Sequence, residues 1–298
     1  MMARNILIFG EHGQLARALA RNYAARGNQV RNLGRASVDI ADGEAVRSAM
    51  TAFRPDLVIN AAAYTAVDRA EDDVDQAFGV NRDGARNVAA AAAAAGAPLI
   101  HISTDYVFDG TKAAPYVETD EAHPISAYGE SKLAGEREVA AHNERHVILR
   151  TSWLYGPEGN NFVRTMLRLA RKGDEIRVVD DQWGTPTLAS DLASGIAEIG
   201  ERMCSSPDPS GSGGIYHASG SSATTWYRFA RAILRRSAEM GGAACRITPI
   251  ATPDYPTRAR RPADSRLDCG KLANAFGIRL PPWETALERC LEQLTPVT

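Results

Sequence analysis

The chain has 298 residues, 44% of them hydrophobic and 23% charged, with a formal net charge of -2 at pH 7. That length suits one large α/β domain with an appended lobe, or two small domains, and the composition excludes a disordered chain or a disulfide-stapled secreted scaffold. The near-neutral total gives no general affinity for nucleic acid, but it leaves room for local arginine clusters that meet phosphate on a small substrate.

Cys204, Cys245, Cys269 and Cys290 form no Cys-x-x-Cys pair and read as isolated thiols. The six histidines are scattered without His-x-x-x-His spacing, so no metal site is expected. The first strand begins at Asn5, leaving no room for a signal peptide, and no segment reaches the ~18 apolar residues of a membrane span. A cytoplasmic protein without membrane contact is expected.

In chain order, Ile6-Leu7-Ile8-Phe9 reads as a buried strand and is followed by a helix from about Gln14 to Arg26. Gln29 to Leu33 predicts a second strand, Val38 to Ile40 a short third, Leu57-Val58-Ile59 a fourth, and Leu99 to Ile102 a fifth. Val74 to Ala95 between the last two predicts one helix ending in an alanine run, and Val147-Ile148-Leu149 supplies a sixth strand. Apolar strands alternating with helices mean a parallel sheet covered on both faces. The expected fold is α/β, a Rossmann-type doubly wound parallel sheet with a smaller C-terminal substrate-binding lobe.

The texture changes after about Thr151, and Ser205 to Gly214 reads as a flexible loop. Residues 1–152 are expected to form the dinucleotide-binding domain. Residues 153–298 are expected to form the lobe that closes over the strand ends, with some segments returning to the first domain.

Gly10-Glu11-His12-Gly13-Gln14-Leu15 joins the first strand to the first helix. Gly10 permits a tight turn and Gly13 lets the backbone approach a pyrophosphate, which the free amides of the helix N-terminus then hold. NAD enzymes usually place a carboxylate at the end of the second strand. Here Asn32-Leu33-Gly34-Arg35 has none, and Arg35 either meets a 2′-phosphate or is a solvated surface arginine. NADPH is therefore the expected cofactor, with NADH tolerated. Asp39 and Ile40 fall where the adenine would lie. The small residues of Asn60-Ala61-Ala62-Ala63-Tyr64 serve either tight packing or a close path for the cofactor.

Tyr128-Gly129-Glu130-Ser131-Lys132 carries the chemical signal. Residues four apart on a helix share a face, so a phenol and an ammonium converge. The ammonium favours phenolate and draws the phenol toward neutral acid–base work. The pair follows Ser103-Thr104-Asp105 at the end of the fifth strand, a spacing that brings both above a nicotinamide.

With these motifs the chain resembles the extended short-chain dehydrogenase/reductases and, within them, the dTDP-4-dehydrorhamnose reductase family. The resemblance runs through Gly10 to Leu15, Asn60 to Asp68, Ser103-Thr104-Asp105-Tyr106-Val107-Phe108 and Tyr128 to Glu136. It continues through Arg150 to Tyr155, Asn160-Asn161-Phe162, Asp181 to Thr187 and Arg261 to Leu267. It implies reduction of the C4 ketone of dTDP-4-dehydro-L-rhamnose to dTDP-L-rhamnose. Thr104 would hold the reacting oxygen, Tyr128 would give it a proton, and Lys132 would hold the nicotinamide ribose. Gly13, Gln14, Leu15, Asp39, Ile40, Ala62, Ala63 and Tyr64 would contact the cofactor, and Asp105 and Trp153 the sugar nucleotide. Asn81 stands where the superfamily keeps a structural or proton-relay asparagine. Some relatives are dimers bridged by metal-bound acids. The first helix here offers Ala18 at that face, so the metal is not carried over, and monomer and homodimer both stay open.

Related dehydratases place Asp-Glu after the Ser/Thr, whereas this chain has Asp105-Tyr106, a poor set for eliminating water. An epimerase, a reductase of another nucleotide sugar and a non-catalytic regulatory subunit are the alternatives, the last of which tends to lose the Tyr/Lys pair. Arg258, Arg260, Arg261 and Arg266 are either partners of the substrate pyrophosphate, Arg261 foremost, or a solvated basic face. Trp153, Trp183 and Trp226 either stack on the base or sugar or fill the small lobe. His101, in a buried strand, is expected to be packed.

Overall fold

The computed structural model describes residues 3–173, 175–205 and 213–294. Most of the predicted Ser205 to Gly214 loop lies outside the described residues. The first half alternates β1 (Asn5–Phe9), α1 (Gln14–Ala25), β2 (Gln29–Leu33), α2 (Gly43–Phe53) and β3 (Leu57–Asn60). Next come α3 (Val67–Ala70), α4 (Val74–Phe78), a π-helical turn over Gly79–Gly84, α5 (Ala85–Ala94), β4 (Leu99–Thr104), α6 (Ala127–His142) and β5 (His146–Thr151). A sixth strand, Gly214–His217, returns from the second half.

The six strands make one sheet in the order Gly214–His217, β5, β4, β3, β1, β2, and every pairing is parallel. Alternation along each strand sorts the core into two layers. Ile6, Ile8, Leu57, Ile59, Ile100 and Leu149 face α1 and α8 (Ala189–Ser205). Leu7, Phe9, Val58, Leu99 and Ile148 face α2, α5 and α6. The central strands thus bury both faces, which is why their runs read as continuously apolar, while the edge strand β2 stays half exposed.

Two predictions for this half need correction. Val38–Ile40 is not a strand, because Ser37 and Val38 donate their amides back to Gly34 O at 2.9 Å and curl the chain into a turn. Ile40 is buried instead as a plug in the layer between α2 and α5. The single helix expected from Val74 to Ala95 is also interrupted by the π-helical turn that carries Asn81.

A separate core belongs to the second half, where α7 (Phe162–Ala170), α9 (Trp226–Glu239) and the final helix, Trp283–Leu294, pack around Tyr155, Phe229 and Trp283. Ile176–Val179 pairs parallel with Ile247–Ile250 at its edge. Strand order reverses between β1 and β3, so the crevice outside their carboxyl ends is the place where such sheets take ligands.

Candidate active site

Gly10 leaves β1 with φ +116°, and a Cβ there would lie 3.2 Å from the backbone of Ala61. Both the dihedral and the close approach require glycine. Gly10 N donates to Leu33 O at 2.8 Å, fixing the turn between the ends of β2 and β3. Gly13 is the N-cap of α1 and offers no side-chain cap, while a Cβ at Gly13 would meet nothing within 4 Å. Open space thus faces uncapped amides, which suits a pyrophosphate. Gln14 reaches the other way, accepting from Asn161 Nδ2 at 2.9 Å, and ties the turn to the second half. Leu15 is buried beneath it.

At the end of β3, Asn60 Oδ1 accepts from Ala62 N at 3.2 Å and shapes the Ala62-Ala63-Tyr64 segment. Asn81 holds that segment from the far side. Its Oδ1 accepts from Tyr64 N at 2.8 Å, while its amide donates to Tyr64 O at 3.1 Å and Ser131 Oγ at 2.9 Å. These bonds join the cofactor side of the crevice to α6.

The position of α6 is fixed locally. Ser126 caps it by accepting from Gly129 N, and Glu71 Oε1 accepts from Ala127 N at 2.9 Å. A Cβ on Gly129 would fall 2.2 Å from Tyr106 O, so only glycine lets the first turn of α6 close on the segment after β4. That contact brings Tyr128 beside Thr104 at the carboxyl end of β4, while Lys132, one helical turn on, reaches Ile102 within the strand.

Burial pushes the Tyr128 phenol up to about 12, against the neighbouring Thr104 hydroxyl, which lowers it, and with the Asp105 charge, which raises it. Lys132 is 2% exposed, donates to Ile102 O at 2.7 Å and lies 3.4 Å from His101 Nε2. Burial pulls it down to about 8, with the Glu136 charge opposing. His101, packed as predicted, is held well below its usual pKa by burial and then by the Lys132 charge, so it is neutral. The Thr104 hydroxyl donates to Asp105 Oδ1 at 3.1 Å. Asp105 is pushed up to about 7 by burial, which outweighs the hydroxyls of Ser265 and Thr104, and its Oδ2 is buried without a hydrogen-bond partner among the described residues.

Of the remaining predicted site residues, Arg35 and Asp39 pair with each other through Nε and Oδ2 at 3.1 Å on the exposed turn after β2. Trp153 has φ +44°, an uncommon backbone for a bulky residue, and its ring stacks on Trp226 with centroids 3.4 Å apart. Arg261 grips Asp68 with both nitrogens, at 3.1 and 2.8 Å, and this holds the Asp68 carboxyl below its usual range. Arg266 folds onto Asp264 and Arg258 onto Asp72, while Arg261, beside its Asp68 pairing, lines a cavity. That cavity, of about 580 Å³, is lined by Phe162, Val179, Gln182, Trp226, Tyr255 and Arg261.

Sequence reasoning assigned no role to this cavity, to Glu71, or to the buried pair in which Glu136 accepts from Arg150 Nε at 2.9 Å and Nη2 at 2.6 Å. The Asn161-Phe162 dipeptide was the available signal for the cavity. Among the described residues no group of three or more His, Cys, Asp or Glu is arranged to hold a metal, and no helix is long and apolar enough to cross a membrane.

A doubly wound sheet with a glycine turn at its switch point and a Tyr-x-x-x-Lys helix alongside defines an extended short-chain dehydrogenase/reductase. The family model for the RmlD substrate binding domain matches residues 4–295. A dTDP-4-dehydrorhamnose reductase of Sinorhizobium fredii is 47% identical over 284 residues, covering 95% of each chain. The solved dTDP-4-dehydrorhamnose reductase of Clostridium acetobutylicum superposes with a TM-score of 0.90 at 38% identity, covering 97% of this chain and 99% of its own. That of Bacillus anthracis, in complex with NADP, gives 0.91 at 36% identity, covering 98% and 100%. The chain belongs to the dTDP-4-dehydrorhamnose reductase family, the one its motifs resemble.

Proposed function

We propose that the protein reduces the C4 ketone of dTDP-4-dehydro-L-rhamnose to dTDP-L-rhamnose, with NADPH as hydride donor. The observation that carries this reading is the Tyr128 phenol beside the Thr104 hydroxyl at the end of β4, with Lys132 one helical turn away, on a sheet whose switch point carries the Gly10–Gly13 turn. Relatives named for this activity along nearly the whole chain support it, as does the solved relative in complex with NADP.

Gly10, Gly13, Gln14 and Leu15 hold the cofactor pyrophosphate, and Ala62, Ala63 and Tyr64 flank its path toward the nicotinamide. Arg35, Asp39 and Ile40 border the adenosine end. When bound, the reduced nicotinamide supplies a hydride to C4. Thr104 orients the ketone oxygen, and Tyr128 Oη gives it the proton that completes the alcohol. A phenol held protonated by burial suits a donor at neutral pH. Lys132 holds the nicotinamide ribose, and the Thr104 hydroxyl, which lowers the Tyr128 pKa, then stabilises the phenolate left behind.

Residues 153–298, apart from α8 and the Gly214–His217 strand, which return to the central sheet, serve as the lobe for the nucleotide sugar. Asp105 Oδ2, without a hydrogen-bond partner among the described residues, takes a sugar hydroxyl near Trp153. The thymidine end occupies the cavity between Phe162, Val179 and Trp226, with Arg261 turned to the pyrophosphate. The test follows loss of reduced-nicotinamide absorbance when protein, NADPH and the 4-keto sugar nucleotide are mixed. Loss well above a cofactor-only blank is expected, and a rate equal to the blank would refute the assignment.

A further inference from the structure

Glu11 stands in the glycine turn, yet its side chain lies across the end of β2. A Cβ built on Gly34 would fall 2.3 Å from Glu11 Oε2 and 2.8 Å from Glu11 Cβ. The carboxylate therefore occupies the space from which a side chain at position 34 would start. An acid at the end of the second strand is the group that holds the adenosine ribose hydroxyls in NAD enzymes. The strand itself supplies none, as Asn32-Leu33-Gly34 shows. The missing acid is delivered from another element, and Gly34 is the residue that makes room for it.

The surrounding charges fit this role. His12 Nε2 lies 3.5 Å from Glu11 Oε2, with 78% of the histidine side chain and 45% of the glutamate side chain exposed, so the carboxylate is open to a ligand. Arg35, the cation best placed to favour a 2′-phosphate, is already paired with Asp39. The adenosine corner thus presents the open Glu11 carboxylate beside an arginine already paired with a second acid, Asp39.

We infer that Glu11 sets the coenzyme preference, accepting from the ribose 2′-hydroxyl and opposing a 2′-phosphate, so that NADH competes with NADPH. This rests on the cofactor reading above. The carboxylate gains a charge-assisted hydrogen bond with the hydroxyl of NADH, and it meets a dianion of like sign in NADPH.

The test measures dissociation constants of both reduced coenzymes by fluorescence titration, without sugar substrate, for the wild type, Glu11→Gln and Glu11→Ala. Both variants should raise the ratio of the NADH to the NADPH constant about tenfold, the product of one lost attraction and one relieved repulsion. Raising the ionic strength should move the wild-type ratio the same way, because exposed charges are screened. An unchanged ratio in both variants would overturn the inference. So would a shift in Glu11→Ala that Glu11→Gln does not share, since that would assign the effect to space rather than charge. Failure of the wild type to bind either coenzyme would refute the cofactor reading itself, a result distinct from normal binding with an unmoved ratio.

Discussion

Lys132 Nζ lies 2.7 Å from the carbonyl oxygen of Ile102, so this buried amine is anchored to the strand beneath it. Holding an ammonium there costs stability. The pKa is about 8 in the folded protein against 10.5 for the free side chain. Below pH 8 both states carry the proton and the folded state bears the whole cost. Between pH 8 and 10.5 the folded lysine has lost its proton while the unfolded chain keeps one, so stability rises with pH. Lys132→Met should therefore be more stable than wild type by roughly 1–3 kcal/mol at pH 7, despite losing turnover. Urea unfolding at pH 7 and pH 10 should show that advantage shrinking at the higher pH.

Asp105 gives the acidic counterpart. Its carboxyl is pushed up to about 7 from 3.8 by burial. Below pH 3.8 both states are protonated and no cost arises. As pH rises toward 7 the unfolded chain ionises first, and the stability associated with the neutral carboxyl is lost. Asp105→Asn has no such proton to lose, so its unfolding midpoint relative to wild type should climb between pH 4 and pH 8. A parallel pair of profiles would show that Asp105 is not neutral in the folded protein.

Glu136 and Arg150 form a buried ion pair beneath the site, 2% and 3% exposed, with Ser103 donating to the same carboxylate. Removing one member leaves the other charged and unpaired, which costs about 3–5 kcal/mol. Glu136→Ala should lower the urea midpoint accordingly. The loss should exceed that of an exposed pair such as Arg47–Glu44, whose removal costs about 1 kcal/mol or less.

The parts that could be read from sequence were those whose cause is local. β1, β3, β4 and β5 are short apolar runs, and Tyr128 and Lys132 lie one helical turn apart, so periodicity alone exposes them. Val38–Ile40 looked like a strand because Val and Ile flank one acid, but the Gly34 turn and the burial of Ile40 decide its shape. The Gly214–His217 strand holds only Ile215 and Tyr216 between a glycine and a histidine, and what makes it a strand is pairing with distant β5. Arg261 was legible as a phosphate partner but not as the partner of Asp68, which is 193 residues away. Glu11 went unread because its meaning comes from Gly34, just past the end of β2.

Arg261 is expected to exchange Asp68 for the substrate pyrophosphate. Arg261→Ala should raise KM for the sugar nucleotide about tenfold, the scale of a charge-assisted contact with phosphate, while NADPH affinity stays unchanged. Steady-state kinetics with coenzyme titration separate the two. A fall in NADPH affinity with constant KM would assign Arg261 to the latch between the halves alone.

The most direct measurement is turnover of Tyr128→Phe with the 4-keto sugar nucleotide, taken together with NADPH binding by the same variant. Removing a single hydroxyl from a buried ring leaves the crevice intact, so the NADPH dissociation constant should stay within about threefold, while kcat falls at least ~100-fold for want of a proton donor. A variant that binds NADPH normally and still turns over at near wild-type rate would contradict the role of Tyr128 outright.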